Sequence, residues 1–117
     1  MTARLNYVEL PVRDTAASKA FFEQAFGWSL TAFGPDYTAT TGQAGSDIGL
    51  NGDAGDATRA PLAVIETDDL EAALASVEAA GGTVSRPIFV FPGGRRFHFR
   101  EPSGNELAVS TLIHVSG

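Results

Sequence analysis

One stretch of this chain occurs twice. Asp14 to Gly27 lies over Asp69 to Gly82 at an offset of 55 positions. Six identities line up: Asp14 with Asp69, Ala17 with Ala72, Ala20 with Ala75, Glu23 with Glu78, Ala25 with Ala80, and Gly27 with Gly82. The start and stop signals align as well. An Asp side chain can accept the free N–H groups of a first helical turn, so Asp14 and Asp69 predict N-caps. Gly27 and Gly82 can take the left-handed conformation that closes a helix. Phe22 and Phe26 sit four apart, as do Leu70 and Leu74, with Val77 continuing the second stripe. Each helix is therefore expected to bury one apolar side. A chain of 117 residues has room for one domain with a proper core. The duplication thus predicts two copies of one small unit inside a single domain.

Strand candidates flank both helices. Leu5 to Val12 alternates, with Val8, Leu10 and Val12 on one face and Tyr7, Glu9 and Pro11 on the other. Leu62 to Thr67 is its second copy. Further short strands are expected at Trp28–Phe33, Tyr37–Thr41 and Asp47–Asn51 in the first half. In the second half they fall at Thr83–Pro87, Arg95–Arg100 and Glu106–Leu112, the last two joined by a Ser103-Gly104-Asn105 turn. The order is βαβββ twice, with module one at about 4–52, a Gly/Asp/Ala-rich linker at about 53–60, and module two at about 61–114. This predicts an α+β fold: two tandem βαβββ modules forming a curved mixed sheet around a cavity.

Composition narrows the function classes. The chain has no cysteine, which excludes a disulfide framework, a thiolate metal site and a cysteine nucleophile. Eight Lys and Arg against fourteen Asp and Glu give a net charge of −6, which argues against nucleic acid and membrane partners. No apolar run approaches membrane-spanning length. Met1 to Arg4 lead straight into a strand, so no signal peptide is expected and the cytoplasm is the expected compartment.

Local sequences add a resemblance. Val8-Glu9-Leu10-Pro11-Val12-Arg13-Asp14, then Ala20-Phe21-Phe22-Glu23 and Phe26-Gly27-Trp28, are similar to a "V-x-V-x-D … F-Y … L-G-W" opening. Phe97-His98-Phe99-Arg100-Glu101-Pro102-Ser103-Gly104-Asn105-Glu106-Leu107 is similar to a later "F-x-D-P-D-G-N-x-I-E-L" strand–turn–strand. With the duplicated βαβββ order, they resemble the vicinal-oxygen-chelate superfamily, which includes glyoxalase and bleomycin-resistance proteins. The likeness covers nearly the whole chain. It implies a glyoxalase-like cavity and a homodimer. In metal-dependent members it also implies four cavity-side ligands, each His, Glu or Gln. Those positions fall on Tyr7, around Gly49 (with Asp47 the nearest carboxylate), Leu62 and Ala108. Leu62 and Ala108 carry no donor atom, so the usual metal site is expected to be absent, and no cofactor is expected.

By strand parity Tyr7, Glu9, Asp47, His98 and Glu106 can all face the cavity. Read as a non-standard metal set, Glu9, His98 and Glu106 form a carboxylate-rich triad. Read otherwise, these residues line a wet pocket. In Pro92–Arg100, Phe97 and Phe99 share one face and are expected against a helix, leaving Arg96, His98 and Arg100 on the other. Two guanidiniums and an imidazole can clamp a planar anion. Equally, the arginines can pair internally with Glu9, Glu106 or Asp47. Gly93-Gly94 is not followed by a helix start, so it is no phosphate loop and reads as a flexible loop at the cavity mouth. Trp28 is expected as core or cavity wall, Phe33, Phe89 and Phe91 can lend aromatic surface to a ligand or equally serve as ordinary packing, and His114 in the tail is expected to be incidental.

The expected function is metal-independent binding of a small organic ligand by Tyr7, Glu9, Asp47, Arg96, His98, Arg100 and Glu106. The alternative is a lyase or isomerase using Glu9 or His98 as its acid or base.

Overall fold

The structure, a computed structural model, describes residues 1–43 and 45–112. His114 lies outside the described residues. The elements run β1 (Ala3–Pro11), α1 (Thr15–Phe26), β2 (Thr31–Ala32), β3 (Tyr37–Ala39), β4 (Asp47–Asn51), β5 (Leu62–Thr67), α2 (Leu70–Ala79), β6 (Thr83–Phe91), β7 (Gly94–Arg100) and β8 (Glu106–Leu112). The expected βαβββ order therefore occurs twice in a mixed α+β fold. The chain divides into two compact units, one of residues 6–62 and one joining residues 1–5 to the stretch from Ala63 onward.

In the first unit the strands neighbour one another in the order β2-β3-β4-β1. β1 runs parallel to β4, pairing Tyr7 with Asp47 and Glu9 with Gly49. β3 is antiparallel to β4, pairing Tyr37 with Asn51 and Ala39 with Gly49. Partners in register share a face, so Tyr7, Glu9, Tyr37, Asp47 and Gly49 all lie on one side of these strands. Val8, Leu10, Ile48 and Leu50 lie on the other.

Helix α1 begins and ends where the repeat predicts. The Asp14 carboxylate accepts from the Ala17 N–H at 3.0 Å, and Gly27 closes the helix in the left-handed conformation, with φ 71°. The expectation of a buried apolar side fails: no α1 residue is buried, and Phe21 and Phe26 are each 60 % exposed. The aromatic side chains pack on one another instead. Trp28 stacks on Phe22 with ring centroids 5.6 Å apart and planes 4° off parallel, and Phe26 lies 5.2 Å from Trp28.

The second unit repeats the plan in the order β5-β8-β7-β6, with β5 parallel to β8 and β7 antiparallel to both neighbours. Here the helix has a core beneath it. Leu70 and Ala73 of α2 pack with Phe97, Phe99 and Val109, flanked by Ile65, Leu74, Val77, Ile88 and Leu107. Phe97 and Phe99 thus face the helix, as the alternation of β7 predicts. Asp69 caps α2 by accepting from the Ala72 N–H at 3.0 Å. The helix ends sooner than the aligned glycines suggest, and Gly81, not Gly82, holds the positive φ, at 98°. Gly82 is needed for closeness: a Cβ there would stand 2.7 Å from Val77 Cγ1.

Three further expectations need correction. Trp28–Phe33 contributes only the two-residue β2, because the Leu30 N–H turns to the Glu23 carboxylate at 3.2 Å rather than to a strand. β6 continues past Pro87 to Phe91, with its register to β7 shifting between Arg86 and Phe89. It is the terminal strand of its set, and a shift on an outer strand is where proline is tolerated. Gly93-Gly94 is not a loop. Pro92 and Gly93 make a tight hairpin turn, and Gly94 begins β7, where a Cβ would run into the Thr111 carbonyl.

Among the described residues, no helix is long and apolar enough to cross a membrane.

Candidate functional site

Polar side chains gather at two places, one in each unit. In the first unit the centre is Glu9, which β1 holds in mid-strand at 2 % exposure. Its carboxylate accepts a hydrogen bond from the Tyr37 hydroxyl at 3.0 Å. The Tyr37 hydroxyl in turn hydrogen-bonds the Tyr7 hydroxyl. Gly49 makes this possible. It is the partner of Glu9 on β4, and a Cβ there would overlap both phenol oxygens. Burial pushes the Tyr37 phenol well above its ordinary pKa, and the Tyr7 and Glu9 neighbours push the same way. Tyr37 therefore stays protonated and donates to Glu9, leaving the Tyr7 hydroxyl to donate to Tyr37.

Asp47 shares this face by register, but its carboxylate is taken up locally. It accepts from the Thr40 hydroxyl at 2.8 Å and from the N–H groups of Gly42 and Gln43 at 3.1 Å each. Asp47 thus holds the turn between β3 and β4.

In the second unit the centre is His98, also 2 % exposed. Its Nδ1 lies 3.1 Å from Glu106 Oε2, and the same oxygen accepts from the Ser85 hydroxyl at 3.2 Å. A carboxylate only accepts, so Nδ1 carries the proton and Nε2 presents a lone pair. Nε2 is buried and hydrogen-bonds nothing among the described residues. Burial lowers the His98 pKa, the Glu106 hydrogen bond opposes that, and the Arg96 charge adds to the lowering. The net direction keeps the imidazole neutral near pH 7.

Arginines surround this histidine. Arg86 pairs with His98 across β6 and β7, and Phe89 pairs with Arg96. The Arg86 guanidinium lies 3.6 Å from the Phe89 ring centre, and that of Arg96 lies 5.3 Å from Phe89 and 5.5 Å from Phe91. Phe89 is itself 5.8 Å from the His98 ring. Arg100 has a different task. Its guanidinium donates to the Gly104 carbonyl at 2.9 Å and approaches Glu106 Oε1 at 4.0 Å, so it braces the turn before β8. Arg95 makes an exposed pair with Glu71 at 2.6 Å.

Within each unit, then, the structure joins Tyr7 to Glu9 and His98 to Arg96 and Glu106, while Asp47 and Arg100 are engaged by turns. Three participants were not singled out from the sequence: Tyr37, Arg86 and Ser85. Arg86 stands across from His98 on the adjacent strand, Tyr37 lies diagonal to Gly49 on β4, and Ser85 sits at a register break in β6 and reaches Glu106. Only the register reveals that, and register is not written in any one strand's alternation.

The four positions to which metal ligands belong by resemblance can now be tested. Gly49 has no side chain, and the phenol oxygens of Tyr7 and Tyr37 fill the space one would occupy. Leu62 and Ala108 are buried at 1 % and 0 % exposure and bring no donor. Ala108 pairs with His98, so it does lie on the His98 side of its strand, away from α2. Tyr7 is the one oxygen donor of the four, and its hydroxyl is engaged by Tyr37. Among the described residues, no three His, Asp or Glu side chains converge as a metal site would require. These residues do not fit the metal that the resemblance implies.

Comparison with known proteins bears on the fold and the family. Residues 4–109 match the family model described as Glyoxalase/Bleomycin resistance protein/Dioxygenase superfamily. No curated protein matches the chain. Among solved structures, a Mn(II)-bound glyoxalase from Novosphingobium aromaticivorans is 27 % identical with a TM-score of 0.70, covering 94 % of this chain and 40 % of that one. The chain thus spans well under half of that relative. A superfamily member from Vibrio splendidus 12B01 is 19 % identical with a TM-score of 0.71, covering 94 % of this chain and 99 % of that one. Methylmalonyl-CoA epimerase from Mycobacterium tuberculosis is 16 % identical with a TM-score of 0.73, covering 94 % and 88 % respectively. The last two likenesses concern the fold alone. With the family model spanning residues 4–109 and the βαβββ unit present twice, the chain belongs to the glyoxalase/bleomycin resistance protein/dioxygenase superfamily.

Proposed function

We propose that this protein binds a small organic ligand without the help of a metal ion. One observation carries the reading: where metal-dependent relatives would place ligands, this chain has Tyr7, Gly49, Leu62 and Ala108, and a phenol pair fills the space at Gly49. A Lewis-acid centre needs several converging nitrogen or oxygen donors. What the chain offers instead is recognition chemistry: phenols, a buried carboxylate, an imidazole, guanidiniums and aromatic faces. A thermal-shift screen of metabolites and drugs tests this. A compound that raises the melting temperature and is recovered unchanged supports it, and one that is consumed refutes it.

A second reading rests on a specific arrangement. Glu9 is a buried carboxylate at the end of a two-phenol hydrogen-bond chain, and His98 has its ring orientation fixed by Glu106. Either can move a proton in a lyase or isomerase reaction. Under this reading, ligand consumption disappears in Glu9→Gln or His98→Ala while the circular dichroism spectrum is unchanged. We also propose a homodimer, on the family resemblance, which sedimentation equilibrium tests: a mass of one chain refutes it.

A further inference from the structure

We infer that the outward side of α1 is the surface on which a second copy of this chain docks, the two helices lying antiparallel with Phe21 of each against Ala20 of the other. The inference rests on the homodimer proposed above and names its surface.

The amphipathicity of α1 is inverted. A surface helix ordinarily turns its charges to water and its apolar residues to the core. In α1 the exposed residues recur at helical spacing as Ala16, Ala17, Ala20, Phe21, Gln24 and Ala25, and none of these carries a charge. The two charged residues of the helix, Lys19 and Glu23, lie on its half-buried side. Glu23 is used there, accepting from the Leu30 N–H. Phe21 stands 60 % exposed at the centre of the outward side, edge-on to Phe22. The second helix follows the ordinary rule, with Glu71 and Glu78 among its exposed residues.

Charge and shape select a second copy as the occupant. Two chains of net charge −6 repel each other, and an uncharged face is where they approach at least cost. The exposed set is also symmetric about a point between Ala20 and Phe21. A two-fold axis there sets Phe21 against Ala20 of the second copy, Gln24 against Ala17, and Ala16 against Ala25, so each larger side chain meets an alanine. Arg13, exposed just before the cap, comes by the same symmetry to the carbonyl end of the other α1, where a cation is favoured. The face is small: twelve residues span about 18 Å of helix, which covers much less than the ~800 Å² per partner of a standard interface. The association is therefore reversible.

Sedimentation equilibrium of the full chain over a wide concentration range tests this. The unaltered protein is expected to pass from the mass of one chain to that of two as concentration rises. Phe21→Glu and Ala20→Glu should each weaken association more than about tenfold, because each buries an unpaired carboxylate. Ala75→Glu adds the same charge on the exposed side of α2 and should leave association unchanged. Ala20→Glu combined with Phe21→Lys in one chain should recover it, since the symmetry brings the two new charges together. All of these positions are exposed, so the circular dichroism spectrum should not change. Association that survives Phe21→Glu, falls equally with Ala75→Glu, or is not recovered by the paired substitutions would overturn the inference and leave the homodimer standing. A mass of one chain at every concentration would overturn both.

Discussion

At Gly49 the backbone passes so close to the phenol oxygens of Tyr7 and Tyr37 that a methyl group built there would overlap both. Gly49→Ala is therefore expected to destabilise the protein by about 1–3 kcal/mol, as overpacking of a tight site does, read as a lower urea midpoint. An unchanged midpoint would mean that the phenols can move aside. Tyr37→Phe removes the donor to Glu9, which is 2 % exposed. Weakening the hydrogen bonding of a buried carboxylate should cost about 1–3 kcal/mol. His98 makes stability depend on pH. Its folded pKa is lowered, mainly by burial, from an unfolded value of about 6.5. The unfolded chain thus takes up the proton first as pH falls. The contribution of neutral His98 is complete above about pH 6.5 and lost progressively below it, down through the depressed folded value. Urea midpoints at pH 7.5 and 5.5 should differ more in the unaltered protein than in His98→Phe, and equal differences would contradict the assignment. Of these residues, Glu9 and His98 were readable from strand parity alone. Tyr37 was not, because its role depends on the diagonal neighbour Gly49 on β4.

The elements that the sequence announces most clearly are those with local chemistry at both ends. α1 starts at an Asp that caps it and stops at a Gly with φ 71°, as the repeat indicates. Asp14→Ala and Asp69→Ala should each cost about 1 kcal/mol, the usual worth of an N-cap, measured by thermal or chemical denaturation. No loss in either would mean that water replaces the cap. Elements whose limits depend on partners were harder to read. β6 runs through Pro87 because a register shift on the outer strand of its set accommodates the ring, and nothing in Thr83–Phe91 by itself signals that. The apolar stripe of α1 reads as a buried side, yet Phe22, Phe26 and Trp28 satisfy one another by stacking while Phe26 stays exposed. Periodicity reveals that a face is apolar, not what covers it.

At the scale of the whole molecule, the duplication and the family match agree on the fold, and the departures from the family lie in the side chains that set its chemistry. Leu62 and Ala108 are small or aliphatic where donors are required, and Gly49 gives its space to a phenol pair. The acidic net charge of −6 does not compensate, since excess carboxylates make a metal site only where they converge. The most direct measurement is metal content by mass spectrometry after the purified protein has been incubated with zinc, nickel and manganese and dialysed. Well under one ion per chain is the predicted result for all three. One ion retained per chain would contradict the account.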